Sequence, residues 1–317
     1  MKKQTWILII VAVILLVVYF ISRTGAPVKR VADYFVEIDS ALVNKVEIHH
    51  DTVDVVLEKR GEGWWVTSPV EYPANPKFGE DLAGKVADLK IENLITEQAE
   101  KQDIFEVTDS AGITVTVHAA KQSPKTFIMG KVSENYRHTY MRMVDSDKIY
   151  LVKGVFKSYF TRRVKDWRDK TICEYEREDF RGFVLEYPGK SMELAIVDTG
   201  WVAKVGTEEF AANQSIVDRL VNMAHNIQAF DFADDLDTEK YDFTKPAFQL
   251  KATTSTDEFT LRLLPEDEEA KKYIVEKEGA LTHFVIYEST AKALMKDFDE
   301  FRPVEDEDKS ESPGIRK

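Results

Sequence analysis

A chain of 317 residues with 44% hydrophobic and 31% charged side chains has room for two domains of about 150 residues or one large one, and this composition excludes disordered, collagenous and disulfide-built proteins. The formal charge of −13 is uneven, because residues 1–30 hold five basic groups (Lys2, Lys3, Arg23, Lys29, Arg30) and no acid, leaving −18 for the rest. A body of that sign repels a phosphate backbone and argues against nucleic acid as a partner.

The first element is the run Trp6–Ile21, sixteen apolar residues without a charge, Gly or Pro. As a helix it rises about 24 Å, and Gln4, Thr5 and Ser22 extend it toward the roughly 30 Å of a bilayer core. Trp6 and Tyr19 lie near its ends, where amphipathic rings prefer to sit. The run therefore predicts an amino-terminal transmembrane helix crossing the inner (cytoplasmic) membrane once. Lys2 and Lys3 precede it while Arg23, Lys29 and Arg30 follow it, so the count of positive charges does not set its direction. A short amino-terminal tail before a large domain favours a cytoplasmic amino terminus with the bulk extracytoplasmic (periplasmic). Two alternatives stand beside this reading. One is a buried core helix, and the other is a signal peptide cut after Thr24-Gly25-Ala26, against which Pro27 and the length of the run both argue.

The remainder is organised by an internal repeat. Gly63-Trp64-Trp65-Val66 matches Thr199-Gly200-Trp201-Val202, and Pro73-Ala74-Asn75 matches Ala211-Ala212-Asn213. After each Ala-Asn comes a helical pattern, Leu82, Val86 and Leu89 in the first copy and Ile216, Leu220, Met223 and Ile227 in the second. Phe105-Glu106-Val107-Thr108 matches Tyr241-Asp242-Phe243-Thr244, and each leads into an alternating strand, Ile113–Val117 or Phe248–Ala252. Ile149–Val152 and Phe284–Tyr287 close the two copies, each followed by a short helix. The predicted class is α+β, an amino-terminal transmembrane helix followed by two tandem repeats of antiparallel sheet plus one long helix. The domain boundaries are 1–30 for the anchor and its flank, 31–170 for the first repeat with a basic connector, 171–303 for the second repeat, and 304–317 for a disordered acidic tail.

Between the copies, the stretch Arg162–Lys170 is the one basic segment outside the amino-terminal flank. It reads either as a solvated connector or as a contact for an acidic partner or lipid headgroups. The candidate interaction surface accordingly comprises Arg162, Arg163, Lys165, Trp167 and Arg168, together with Trp65 and Trp201. Those two indoles are expected to pack on their helices, with ligand stacking as the alternative. Residues 31–175 carry 20 basic and 24 acidic groups, whereas residues 176–303 carry 15 and 27, so the second copy makes the protein acidic. Cys173 is the single cysteine, which rules out a disulfide or a thiolate cluster within one chain and suits a small apolar filler beside Ile172.

Several of these motifs occur together in one family. The amino-terminal apolar run, the Gly63–Val66 strand, Pro69-Val70-Glu71-Tyr72-Pro73-Ala74-Asn75 before a helix, Phe105–Thr108, an Ile128-Met129-Gly130 turn and Trp167-Arg168-Asp169-Lys170 resemble the bacterial family called domain of unknown function 4340 over about residues 45–300. The resemblance implies an anchored protein with its domain outside the cytoplasm, associated with ABC-type transport systems of the gliding-motility auxiliary kind. It carries no catalytic residues. The second copy departs from the pattern, with Val205-Gly206 where the first has Ser68-Pro69.

The residues themselves point to no catalytic set, cofactor or metal. There is no Gly-x-x-x-x-Gly-Lys phosphate loop, so an ATPase partner would be another chain, and neither a Gly-x-Ser-x-Gly elbow nor a His-Glu-x-x-His helix occurs. His49-His50-Asp51 is the best local cluster, but neighbouring strand residues point to opposite faces and do not converge on one ion. Asp231, Asp234, Asp235, Asp237 and Glu239 read as a solvated acidic loop, since they lack the central Gly and closing Glu of a calcium loop. The function expected is that of a single-pass, membrane-anchored extracytoplasmic accessory or interaction protein, a non-catalytic component working with ABC permease and ATPase subunits. The alternative is an extracytoplasmic hydrolase or ligand-binding protein whose site assembles from distant residues. No oligomeric state follows from the residues.

Overall fold

The structure, a computed structural model, describes residues 33–303 other than 52, 199, 235, 237–239, 268 and 270. The chain divides into two units, Met1–Val164 and Lys165–Lys317. The first is built from β1 (Val43–His50), β2 (Val53–Arg60), β3 (Gly63–Ser68), β4 (Tyr72–Pro73), β5 (Ile91–Thr96), β6 (Ile113–Ala119), β7 (Lys125–Val132), β8 (His138–Met143) and β9 (Ile149–Lys153). They pair antiparallel in one nine-stranded sheet of order β4-β3-β2-β1-β6-β7-β8-β9-β5. On β6, Ile113, Val115 and Val117 face the core, each contributing roughly 1.5–3 kcal/mol through burial, while Thr114 and Thr116 stay half-exposed.

Helix α1 (Pro76–Ala87) begins where its sequence says it should. The Asn75 side chain accepts a hydrogen bond from the Lys77 N–H at 3.1 Å, and Pro76 sits at the first helical position where its missing N–H costs nothing. The face bearing Gly79, Leu82 and Val86 is buried. Gly79 is required there, because a Cβ would stand 2.7 Å from Trp64 Cβ and 2.8 Å from its ring. Short helices α2 (Lys157–Phe160) and α3 (Val164–Trp167) follow β9.

The second unit holds β10 (Thr171–Glu174), β11 (Phe180–Tyr187), β12 (Lys190–Val197), β13 (Gly200–Val205), β14 (Glu208–Ala211), helix α4 (Gln214–Ala224), β15 (Asn226–Gln228), β16 (Asp231–Phe232), β17 (Phe248–Thr254), β18 (Glu258–Pro265), β19 (Lys272–Lys277), β20 (Phe284–Tyr287) and helix α5 (Glu288–Leu294). Its main sheet has the order β14-β13-β12-β11-β17-β18-β19-β20-β16, strand for strand the pattern of the first, and β10 pairs with β15 separately. Asn213 caps α4 through the Ser215 N–H as Asn75 caps α1. Under α4, Phe180 and Phe183 stack with centroids 5.2 Å apart, and Trp201 lies 5.8 Å beyond Phe183.

Strand outweighs helix in both units, which corrects the expected α+β class to a mostly β protein of two large antiparallel sheets. In each unit the strands before and after the long helix join into one nine-stranded antiparallel sheet, so that a single long helix is a minor part of the unit. Nor does the expected amino-terminal transmembrane helix have a counterpart among the described residues, where no helix is long and apolar enough to cross a membrane. The run Trp6–Ile21 and the tail 304–317 lie outside the described residues.

Two local expectations also change. Ile128-Met129-Gly130 is no turn but the middle of β7, where Gly130 lets the chain at Phe105 pass close by: a Cβ there would lie 2.1 Å from the Phe105 carbonyl oxygen. The tryptophan equivalent to Trp201 is Trp64, not Trp65. Both sit one residue after the glycine that closes a hairpin pair, Arg60 with Gly63 and Val197 with Gly200. Both also accept a 2.8 Å hydrogen bond on their carbonyl from the following Ala-Asn alanine, Ala74 or Ala212. One extra residue between β13 and α4 shifts the repeat's offset, and matching letters across that gap misaligns the indoles.

Candidate functional site

Three cations of the basic connector, Arg162, Lys165 and Arg168, are each engaged by groups of their own unit. Arg162 lays its guanidinium over Phe78 at 3.9 Å and over Tyr159 at 4.3 Å, and donates to the Tyr159 carbonyl at 3.1 Å. Arg163 is exposed. In the second unit, Lys165 pairs with Asp231, and Arg168 donates to Asp234 Oδ2 at 2.6 Å with its guanidinium 3.7 Å from the centre of the Phe232 ring. Arg168 is 1% exposed and Trp167 fully buried. Burial pushes the Asp231 carboxyl up, but hydrogen bonds from Lys165 and the Phe232 N–H, with the charges of Lys165 and Lys170, outweigh it and hold the group below the usual aspartate range. Trp201 is buried, while Trp65 is half-buried under the Arg60 guanidinium, 5.3 Å from its ring centre.

Two other sequence candidates resolve simply. His49 pairs with Asp54 across the β1–β2 hairpin and His50 faces away from it. Asp231 and Asp234 serve as the connector's counter-ions, and Asp235, Asp237 and Glu239 lie outside the described residues.

The open site lies on the polar face of the second sheet, where cross-strand register places four long side chains side by side. Glu186 on β11 opposes Gln249 on β17, Gln249 opposes Arg262 on β18, and Arg262 opposes Glu276 on β19. The Gln249 amide donates to Glu186, Arg262 Nε donates to Gln249 Oε1 at 2.9 Å, and Arg262 Nη1 donates to Glu276 Oε2 at 2.7 Å. Arg262 Nη2 reaches Glu278 at 3.5 Å. His283, just before β20, continues the row and stacks on Phe243 with ring centroids 5.1 Å apart and planes 14° from parallel.

Phe243 belongs to the loop Tyr241–Pro246, which walls a groove of about 890 Å³ over this row. The Asp242 carboxylate accepts hydrogen bonds from the Thr244 hydroxyl and N–H, which lower its pKa and fix the loop's turn, and the Tyr241 hydroxyl donates to the Glu266 carbonyl at 2.6 Å. A smaller hollow of about 260 Å³ continues past Arg262, Glu276 and His283 along Gly279–Thr282.

The first sheet carries the same positions with different chemistry. There the register runs His49, Thr114, Ile128, Arg142, Ile149. Val107, Ile128 and Ile149, matching Phe243, Arg262 and His283, form a fully buried apolar cluster with Phe105 and Tyr140 against it. Arg142, where the second sheet has Glu276, donates to the Val107 carbonyl at 2.5 Å and to Asp109 at 2.7 Å, tying the loop onto the sheet. Gly130 makes room for that loop, and the matching position on β18 is Leu264. The first unit therefore fills the place that the second leaves open.

Among the groove's residues, Tyr241, Asp242, Phe243, Thr244 and Gln249 fall within matched sequence blocks. Arg262 and Glu276 carry no local signal, being ordinary polar positions in alternating strands until register brings them together.

No curated protein and no solved structure matches this chain. The family model for a domain of unknown function, DUF4340, matches residues 64–246, from β3 of the first sheet to the loop before β17 of the second, and since this is more than half of the chain the protein belongs to that family.

Proposed function

We propose that the protein is a membrane-attached accessory subunit that acts by binding, with its two sheet units outside the cytoplasm. The observation that carries this reading is the row Glu186–Gln249–Arg262–Glu276, a hydrogen-bonding surface held rigid on four adjacent strands and open to solvent along one side. Its hydroxyls are engaged by neighbours, Thr244 with Asp242 and Tyr241 with the Glu266 carbonyl, which suits recognition better than nucleophilic attack. The apolar run Trp6–Ile21, flanked by Lys2, Lys3, Arg23, Lys29 and Arg30, supports attachment at the inner membrane. The sequence features shared with the family support a place beside an ABC-type permease and its ATPase, with ATP hydrolysis residing in another chain.

Purification of the tagged full-length protein from its native membrane in mild detergent, followed by identification of co-eluting chains, tests this. Permease and ATPase subunits in stoichiometric amounts are the expected result. Recovery of the protein alone, or in a fraction free of membrane, would overturn it.

A further inference from the structure

We propose that the groove over the second sheet binds a neutral saccharide chain. The space is a property of this unit and not of the fold, because the first unit closes the equivalent place with Val107, Ile128 and Ile149 and clamps its loop through Arg142. Replacing that apolar trio by Phe243, Arg262 and His283 would be costly in a buried plug, since a guanidinium tolerates burial only with full hydrogen bonding. In an open groove the same replacement supplies a wall and a floor. Its volume of about 890 Å³ lies in the range of small-molecule sites, and the continuation along Gly279–Thr282 gives it length.

The order of charges selects the ligand class. Along the row the groups are Glu186, Gln249, Arg262 and Glu276, so the one cation sits between a neutral amide and a carboxylate on strands about 4.8 Å apart. An anionic ligand drawn to Arg262 meets Glu276, and a cationic one drawn to Glu276 meets Arg262, whose side chains are 28% and 29% exposed. A hydroxyl both donates and accepts and is matched to either neighbour. The row leaves suitable valences, because Arg262 has five N–H donors of which three are engaged here, Gln249 has a second amide hydrogen, and Glu276 has a second oxygen. Beside this floor, the parallel Phe243 and His283 rings offer an apolar surface for the C–H face of a pyranose ring.

This inference is independent of the transport partner, and its test requires none. The full-length protein, in a zwitterionic detergent lacking a sugar headgroup, is titrated with cellopentaose, maltopentaose, chitopentaose and, as a charged competitor class, pentalysine. Calorimetry and saturation-transfer NMR read the binding. At least one pentasaccharide is expected to bind with Kd below about 1 mM, changing less than about twofold between low and high salt. Arg262→Met and Phe243→Ala should each weaken it about tenfold or more with the circular-dichroism spectrum and Tm retained. Should Arg262→Met fail to fold, the loop variant Phe243→Ala decides. No saccharide binding at about 10 mM, saccharide binding that ignores Phe243→Ala, or tight salt-sensitive binding of pentalysine in its place would each overturn the proposal.

Discussion

Arg262 occupies in the second sheet the register position that Ile128 occupies in the first. Ile128 opposes Thr114 and Arg142 across β6 and β8, and Arg262 opposes Gln249 and Glu276 across β17 and β19. One is fully buried under a docked loop, and the other is the hub of an open polar row. The backbone frame is common to both, so the difference resides in side chains and in how closely the covering loop approaches.

Gly130 controls that approach in the first unit. A Cβ at this position lies 2.1 Å from the Phe105 carbonyl oxygen and 2.6 Å from Val107 Cγ1, and backbone cannot yield as a flexible side chain can. Gly130→Ala is expected to destabilise the protein by about 2–3 kcal/mol in urea unfolding. A cost under about 0.5 kcal/mol would mean the loop is not held against β7.

Two glycines of α1 should respond with opposite signs. Gly79 carries the Trp64 ring, so Gly79→Ala should cost about 2 kcal/mol, whereas Gly84 has open space where its Cβ would be, so Gly84→Ala should stabilise by about 0.5–1 kcal/mol. Chemical denaturation of the two variants side by side checks the sign as well as the size. Equal effects would refute the packing of Trp64 on this helix.

Arg168 is a structural cation in the second unit. Arg168→Met should cost about 2–3 kcal/mol, less than the 3–5 of a fully buried pair because its partner Asp234 is 44% exposed and can rehydrate. Arg168→Lys should not restore stability, because an ammonium cannot reproduce the flat stacking on Phe232. By contrast Lys292→Met, which breaks the exposed pair with Glu288, should leave the unfolding midpoint unchanged.

Alkaline pH should unfold the protein from a definite point. Burial pushes the Cys173 thiol up to about 12 against a smaller pull from Lys277, while in the unfolded chain it titrates near 9.0. Between these values the unfolded state loses a proton that the folded state keeps, so this stabilisation is complete below pH 9 and declines as pH rises toward 12, by about 1.4 kcal/mol per pH unit. Tyr159 and Tyr187, also raised chiefly by burial, steepen the fall above their ordinary value of 10.0. Stability measured across pH 8–11 should show a shallower slope in Cys173→Ala, and an unchanged slope would place the titration elsewhere.

The sequence alone determined the local features. Asn75 and Asn213 start helices because a side-chain acceptor and the following apolar period are both short-range properties, and β6 and β17 read as strands because alternation is visible within seven residues. It also set the uneven charge, the acidic second half and the solitary cysteine. Tertiary structure alone decided the rest. Class moved from α+β to mostly β because a hairpin is stabilised by a neighbouring strand that no local window contains. The counter-ions of Lys165 and Arg168 emerged only in three dimensions, because Asp231 and Asp234 lie 66 residues away along the chain. The groove appeared because register joins Glu186 to Gln249 across 63 residues and because Leu264 stands where the first unit has Gly130. A one-residue offset hid the true equivalence of Trp64 and Trp201, and only strand pairing, which counts position by hydrogen bonds instead of letters, could restore it.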